Sequence, residues 1–448
     1  MHKAGIKKTT IVNTSSDPKA PGVFRLAALG IGSMVGAGIF ALMGEAALIA
    51  GSAVWISFAL AGVIALLTGH SFVQLAVRYP SRGGLVEYLV QAYGVGVFSG
   101  ACSLLFYISQ LIGMAMISLA FGKFSAQLLF VESNLAFWER ILACVLILGL
   151  SALNLVGSKL LSRMQRSMVI FNLTLLTGFT IALAVFANPP ELTTHTTPAT
   201  MAVLGSLSLT FMSFTGFAVI SNAAERVKDP ARDLPRAMYL AIGSVMVLYV
   251  GMALALSAAV GPETMSTAGA SLLVSAARSQ FGEIGYYILL LTAIAGTTTC
   301  LNGGLFGAAN ITYSLAEKGQ LPPRMMRSVQ ATTRGLLVTS AIAIILVFLF
   351  DLSSVASLGA ATSLMVYLLV NIGALKLLNA TGLRLLILRI SVASCAAAIL
   401  IWVVHAFRNT PEALGVFAVF LFGAVIIEAL LQRVLKRRVD VEVSERQT

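Results

Sequence analysis

Two stretches of this sequence place helix-breaking residues inside apolar runs. The first reads Gly30-Ile31-Gly32-Ser33-Met34-Val35-Gly36-Ala37-Gly38-Ile39-Phe40. Each glycine costs a helix about 1 kcal/mol relative to alanine. The second reads Thr210-Phe211-Met212-Ser213-Phe214-Thr215-Gly216-Phe217-Ala218-Val219-Ile220, with hydroxyls and a glycine at its middle. A half-helix that starts in mid-membrane presents unpaired N–H groups and about half an elementary positive charge. It can hold a carboxylate without an arginine. A half-helix that ends there presents free carbonyls, which accept from an ammonium. A zwitterion matches both ends. On this reading the amides of Gly36, Ala37 and Gly38 take the carboxylate, and carbonyls near Met34, Met212 and Phe214 take the amine. Phe211 and Thr215 complete the lining. The alternative for the first stretch is a close-packing face of small residues, which Gly32 and Gly36 satisfy.

Few other groups at membrane depth carry charge or bind ions. Glu45 follows the first break by two turns and is a gate, a proton acceptor or a residue of the outer vestibule. His70 is a proton relay or a hydrogen-bonded packing residue. Thr297, Thr298 and Thr299 offer oxygens suited to sodium, or bond their own helix. Glu428 is expected to snorkel or to pair with Arg433, with no transport role. Tyr107 and Ser109 are further candidates for a side-chain pocket. No aspartate lies in the interior, so a cationic side chain would lack a counter-charge. Neutral substrates follow. The four cysteines form no CxxC pair, so neither a disulfide framework nor a metal site is expected, and no cofactor is implied. No P-loop or HExxH motif points to ATP hydrolysis or to an intramembrane protease.

The elements that must hold these residues are membrane helices. Of 448 residues, 58% are hydrophobic and 11% charged, against about 25% charged in soluble domains. Mean hydropathy is +0.91. These values exclude soluble enzymes and nucleic-acid binders. Twelve apolar runs can cross a bilayer: 24–50, 52–77, 88–121, 138–157, 164–187, 200–223, 237–261, 284–315, 335–350, 353–378, 385–407 and 412–431. With a cytoplasmic N-terminus, all Lys and Arg but Lys123, Arg140, Arg278 and Arg408 fall on the inner side, the pattern of a multi-pass inner-membrane protein with both termini inside. The net charge of +12 is thus topology, with the basic run after Arg433 touching anionic lipid. The mixed-sign loop from Glu225 to Arg236 is an inner gate or a solvated loop.

Gly38 and Gly216 are five spans apart, so each break opens a five-helix unit, and the odd number inverts the second unit. Matching breaks in inverted repeats point to a transport site. The expected organisation is a tail at 1–22, one repeat at 23–187, a second at 200–380, two added helices at 384–432 and a tail at 433–448.

The stretch GIGSMVGAGIF resembles the first-helix motif of the amino acid–polyamine–organocation (APC) superfamily. Arg78-Tyr79-Pro80-Ser81-Arg82-Gly83-Gly84 followed by Glu87-Tyr88, the segment 214–237, and the segment 302–322 are similar to that superfamily's first inner loop, sixth helix and eighth helix. The resemblance implies an all-α LeuT-type fold with five plus five inverted repeats and twelve transmembrane helices. It also implies a secondary amino acid transporter working by alternating access, coupled to a proton or sodium, or an exchanger or exporter. Several relatives carry a coupling lysine in the fifth helix. Aligned on Gly157, Lys159 and Gln165, that place holds Asn172, which is expected instead to tie the first-helix backbone. Many relatives have an aromatic residue before the sixth-helix break. Met212 stands here, implying a permissive pocket.

Overall fold

The computed structural model describes residues 21–81, 84–94, 96–130, 133–156, 158–186, 200–317, 320–322, 325, 328–329, 332–379 and 381–434. Most of both expected tails, Arg82, Gly83 and Gly157 lie outside the described residues, as does the side chain of Ala37. The described chain is helical apart from turns and one short antiparallel pairing, Ser328–Val329 with Thr332–Thr333.

The helices are α1 Val23–Ala37, α2 Met43–Ala50, α3 Val54–Arg78, α4 Leu85–Tyr93, α5 Val97–Leu128, α6 Leu135–Val156, α7 Ser158–Phe186, α8 Thr200–Gly205 and α9 Leu207–Met212. They continue as α10 Ala218–Ser221, α11 Pro230–Ala259, α12 Pro262–Thr267, α13 Leu272–Glu317, α14 Arg334–Leu349, α15 Leu352–Leu377, α16 Gly382–Asn409 and α17 Pro411–Val434. Ten stretches of the described chain are long and apolar enough to cross a membrane. The first of them turns at Gly51–Ala53, where Gly51 has φ +57°, and α14 is a further, shorter apolar helix of 16 residues.

Two expected boundaries shift, both at glycines. The run at 88–121 is not one helix: the chain turns at Gly94 (φ +74°), leaving α4 separate and starting α5 at Val97. The run at 284–315 begins just after a kink, Gly282 (φ +67°), which sets off the helical turns from Leu272 before it. A left-handed residue cannot lie inside a right-handed helix, and glycine adopts it at no steric cost.

Burial separates centre from rim. α5, the segment 200–226 and α15 are mostly buried, whereas α7, α16 and α17 present large apolar side chains outward, as lipid-facing helices do. α13 and α15 flank α5, and α11 lies along both α1 and α3. The mixed-sign loop from Glu225 to Arg236 has a local use: Asp229 accepts from the Arg232 backbone N–H (3.3 Å) and caps α11, with Pro230 in its first turn.

Candidate functional site

The two rods lie against each other, with Gly30 beside Ile220, Ser33 beside Gly216 and Gly38 beside Ser213. The first keeps its backbone winding: α1 passes into a π-helical turn over Gly38–Leu42 and then into α2. The second is broken. α9 ends at Met212, the chain turns at Ser213 and Phe214, a 3-10 turn covers Thr215–Phe217, and α10 follows.

Glycines let the rods approach. A Cβ on Gly216 would lie 2.7 Å from the Ser33 carbonyl, and one on Gly36 would lie 2.5 Å from Cys300 Cβ and 2.6 Å from the Gly296 carbonyl of α13. The close-packing reading therefore also holds: Gly32 faces Val169 of α7 and Gly36 faces α13. Hydroxyls then tie the rods together. Ser33 Oγ donates to the Gly216 carbonyl (2.7 Å), and Ser213 Oγ donates to the Gly38 carbonyl (3.4 Å).

The expected open gap in the first rod is absent. The Gly38 N–H donates to the Met34 carbonyl, so that amide is already paired. The three carbonyls expected to stand free also have donors. Met34 accepts from Tyr249 Oη (2.8 Å), Met212 accepts from Thr215 Oγ1 (2.8 Å), and Phe214 accepts from the Phe217 N–H (3.2 Å). The reason is physical: in an apolar core each freed backbone group must find a partner. Here a π turn, a short 3-10 turn and two tyrosines supply them. The Met34 carbonyl, with two donors, has both lone pairs engaged, while Met212 and Phe214 accept from Thr215 and Phe217 in turn.

Tyr249 of α11 and Tyr367 of α15 are the parts of the site that sequence reasoning missed. Tyr249 is fully buried, and its hydroxyl reaches both rods, at Met34 and at the Ser213 carbonyl (3.4 Å). Its ring is held edge-on by Phe58 (5.4 Å) and Phe214 (5.2 Å). Tyr367 Oη donates to the Thr215 carbonyl (2.6 Å), and its ring meets Phe211, Phe217 and Phe72. The available signal was a lone hydroxyl in the middle of an apolar span, since such a group needs a partner there.

Phe211, Met212 and Phe214 are buried and Thr215 is half-buried. The end of the Met212 side chain fits between α5 and α15: a Cβ on Gly359 would lie 2.7 Å from its Cε and 3.1 Å from Ile112, and one on Gly113 would lie 3.9 Å from the same Cε. Tyr107 bonds Thr339 of α14 (2.8 Å), and Ser109 donates to its own helix at Phe106 (2.7 Å), so neither hydroxyl is turned to the breaks.

The other candidates separate. Asn172 is buried, but its amide accepts from the Gly296 N–H (3.1 Å) and donates to the Thr292 carbonyl (3.2 Å). It ties the backbone of α13, not of the first rod, because a glycine and its preceding turn there leave groups within reach. Thr297, Thr298 and Thr299 donate to the carbonyls of Ala293, Ile294 and Ala295 in their own helix (2.7–2.8 Å). Glu45 is buried on α2. Its carboxylate accepts from Ser353 Oγ of α15 (2.6 Å) and packs against the turn at Gly269, so it does not lie in an open vestibule. His70 Nδ1 bonds Tyr239 Oη (2.5 Å) on the seam between α3 and α11, apart from the breaks. Glu428 does not snorkel. It is 1% exposed, lies against Gly100, and accepts from Gln432 Nε2 (2.9 Å).

Among the described residues no group of three His, Cys, Asp or Glu is placed to hold a metal ion. The family model described as amino acid permease matches residues 22–427. The chain is 29% identical to the inner membrane transport protein YbaT of Escherichia coli K12, over 94% of this chain and 97% of that one. It is 26% identical to the branched-chain amino acid permease BcaP of Bacillus subtilis, over 67% and 68%. It is 28% identical to the chloroplastic cationic amino acid transporter 9 of Arabidopsis thaliana, over 70% and 58%.

Proposed function

The chain belongs to the amino acid permease family of the APC superfamily, a multi-pass membrane protein of LeuT-type fold, and from that we propose that it is a secondary transporter of small neutral amino acids. The observation that carries this reading is the contact between the π-turned first rod and the broken second rod, joined at Ser33–Gly216 and Gly38–Ser213 with the Tyr249 hydroxyl between them. When the first rod yields, the amides of Gly36, Ala37 and Gly38 leave their helix partners for the substrate carboxylate, and the ammonium meets the carbonyls at Met212 and Phe214 with Thr215 beside them. The π turn at Gly38–Leu42 is where the first rod must yield to admit it, since such turns are a stored irregularity of the helix ladder.

Met212 bounds the side-chain pocket, with Phe211 behind it. Neutral side chains fit a site whose named residues carry no acid. Alternating access follows from one group of helices moving against another about this contact. Coupling is to a proton in preference to sodium: the three threonine hydroxyls bond their own helix, while Glu45 is a buried carboxylate two turns from the break. Asn172 orders α13 beside the first rod, and His70 has no part at the breaks. The chain sits in the cytoplasmic membrane with both termini inside, as two five-helix repeats and two added helices.

A second reading, a permease for cationic amino acids or an exchanger, is favoured by the name of the Arabidopsis relative. One experiment separates them: a proteoliposome uptake panel of amino acids under separate proton and sodium gradients. The proposal expects saturable uptake of small neutral amino acids driven by the proton gradient. Saturable uptake of arginine or lysine alone would overturn it, and counterflow without net uptake would make the protein an exchanger.

A further inference from the structure

Three buried polar atoms stand without a partner where α3, α15 and α16 meet. The helices touch through Thr68, Asn371 and Cys395. Asn371 Nδ2 lies 3.2 Å from Thr68 Oγ1 and 3.3 Å from Cys395 Sγ, and those two atoms are 3.5 Å apart. The oxygen of the same amide, Asn371 Oδ1, accepts no bond. One turn onward in α3 is Ser71, and one turn back in α16 is Ser391. Their hydroxyls are also unpartnered, and all three residues are fully buried.

Helix direction brings the three atoms together. The start of α3 meets Ser206 through Ser57 (2.6 Å), and the end of α16 packs on Gly205 through His405. α3 and α16 therefore run antiparallel, and one turn onward in the first matches one turn back in the second. Both serines step the same way from the Thr68–Cys395 contact that Asn371 Nδ2 joins.

The serines are also exceptional within this protein. Buried hydroxyls elsewhere, such as Ser103, Ser118, Thr297 and Thr362, donate to the carbonyl four residues back at 2.7–2.9 Å. That bond is open to a serine in any helix interior. Ser71 and Ser391 leave it unmade. A buried polar group without a partner is costly, and folded proteins meet such groups with ordered water, which takes two to four polar partners. Three oxygens are too few for the six or more ligands of a hard cation and enough for one water.

We propose that α3, α15 and α16 enclose an ordered water held by Ser71 Oγ, Ser391 Oγ and Asn371 Oδ1. Its place gives it a use. Asn371 is one turn beyond Tyr367 on α15, and Ser71 adjoins Phe72, whose ring stacks on Tyr367 at 5.2 Å. The water pins the base of the aromatic cluster whose hydroxyl caps the broken rod at Thr215. It does so whatever substrate the protein carries.

The test is a cryo-EM map of the full chain in lipid nanodiscs, detailed enough to show ordered water, with thermal unfolding of Ser71→Ala, Ser391→Ala and the double variant. The expected result is a density peak about 2.7–3.2 Å from the three oxygens, and a double variant that melts several degrees lower. No peak, or a double variant that melts higher because orphan hydroxyls were removed, overturns the proposal. If the double variant does not fold, the two single variants carry the same test of sign. A wild-type melting temperature that rises with sodium but not potassium, and no longer does so in the variants, would put a cation in place of the water and equally overturn it.

Discussion

The Tyr249 hydroxyl is the residue on which both rods depend. It donates to Met34 and to Ser213 from a fully buried position, so Tyr249→Phe leaves two carbonyls short of a donor. Loss of a buried partner costs about 1–3 kcal/mol. Uptake of the Phe variant should fall roughly 5–150-fold in kcat/KM while the protein still reaches the membrane; wild-type uptake would show that the bridge is idle. Met212 makes a different prediction. Its flexible end fills the space against Gly113 and Gly359, so Met212→Ala should move preference toward larger neutral side chains, read as a changed ratio of kcat/KM between alanine and leucine. An unchanged ratio would remove Met212 from the pocket. At this scale the sequence was only partly legible. Glycines and hydroxyls at mid-membrane announce a break, whatever the tertiary structure. Tyr249 and Tyr367 do not announce themselves, because the carbonyls that they cap lie on other elements, 36 to 215 residues away in the chain. Asn172 shows the same limit: its polarity in an apolar span predicts a backbone partner, but only the packing of α7 on α13 decides which backbone.

The first rod shows what a helix does when glycine weakens it but neighbours crowd it. A gap was expected from the glycines alone. The structure has a π turn, since α11 supplies a hydroxyl to the Met34 carbonyl and α13 closes against Gly36. Crowding is testable. Gly36→Ala places a methyl 2.5–2.6 Å from Cys300 Cβ and the Gly296 carbonyl. Overpacking of this kind costs about 1–3 kcal/mol, so uptake should drop roughly 5–150-fold if the strain falls on the transport cycle. Gly243→Ala in α11 meets nothing within 4 Å and should leave uptake unchanged, which controls for a generic glycine effect. The seam between α7 and α13 has its own prediction. Asn172→Leu removes the bonds to Thr292 and Gly296 and should lower the melting temperature, with a smaller loss of uptake than Gly36→Ala. The reverse order would assign Asn172 to the substrate. Element boundaries failed in the sequence where a single glycine at positive φ splits an apolar run, as at Gly94 and Gly282, because hydropathy averages across such a residue.

Across the whole molecule, the fold was legible because a bilayer constrains it so strongly. Apolar length gives the rods, and the family match agrees with the all-α fold that they imply. Chemistry was less legible, since Glu45 and Glu428 are both buried yet only their neighbours, Ser353 and the turn at Gly269 for one and Gly100 for the other, distinguish an outer contact from a packing site. The central claim is that two interrupted rods hold a small molecule by its carboxylate and its ammonium together. The most direct test is uptake of labelled alanine into proteoliposomes, competed by unlabelled alanine, alanine methyl ester and ethylamine. The account predicts that alanine competes and that neither derivative does, because each lacks one of the two groups. Competition by either derivative at the concentration of the parent would contradict it.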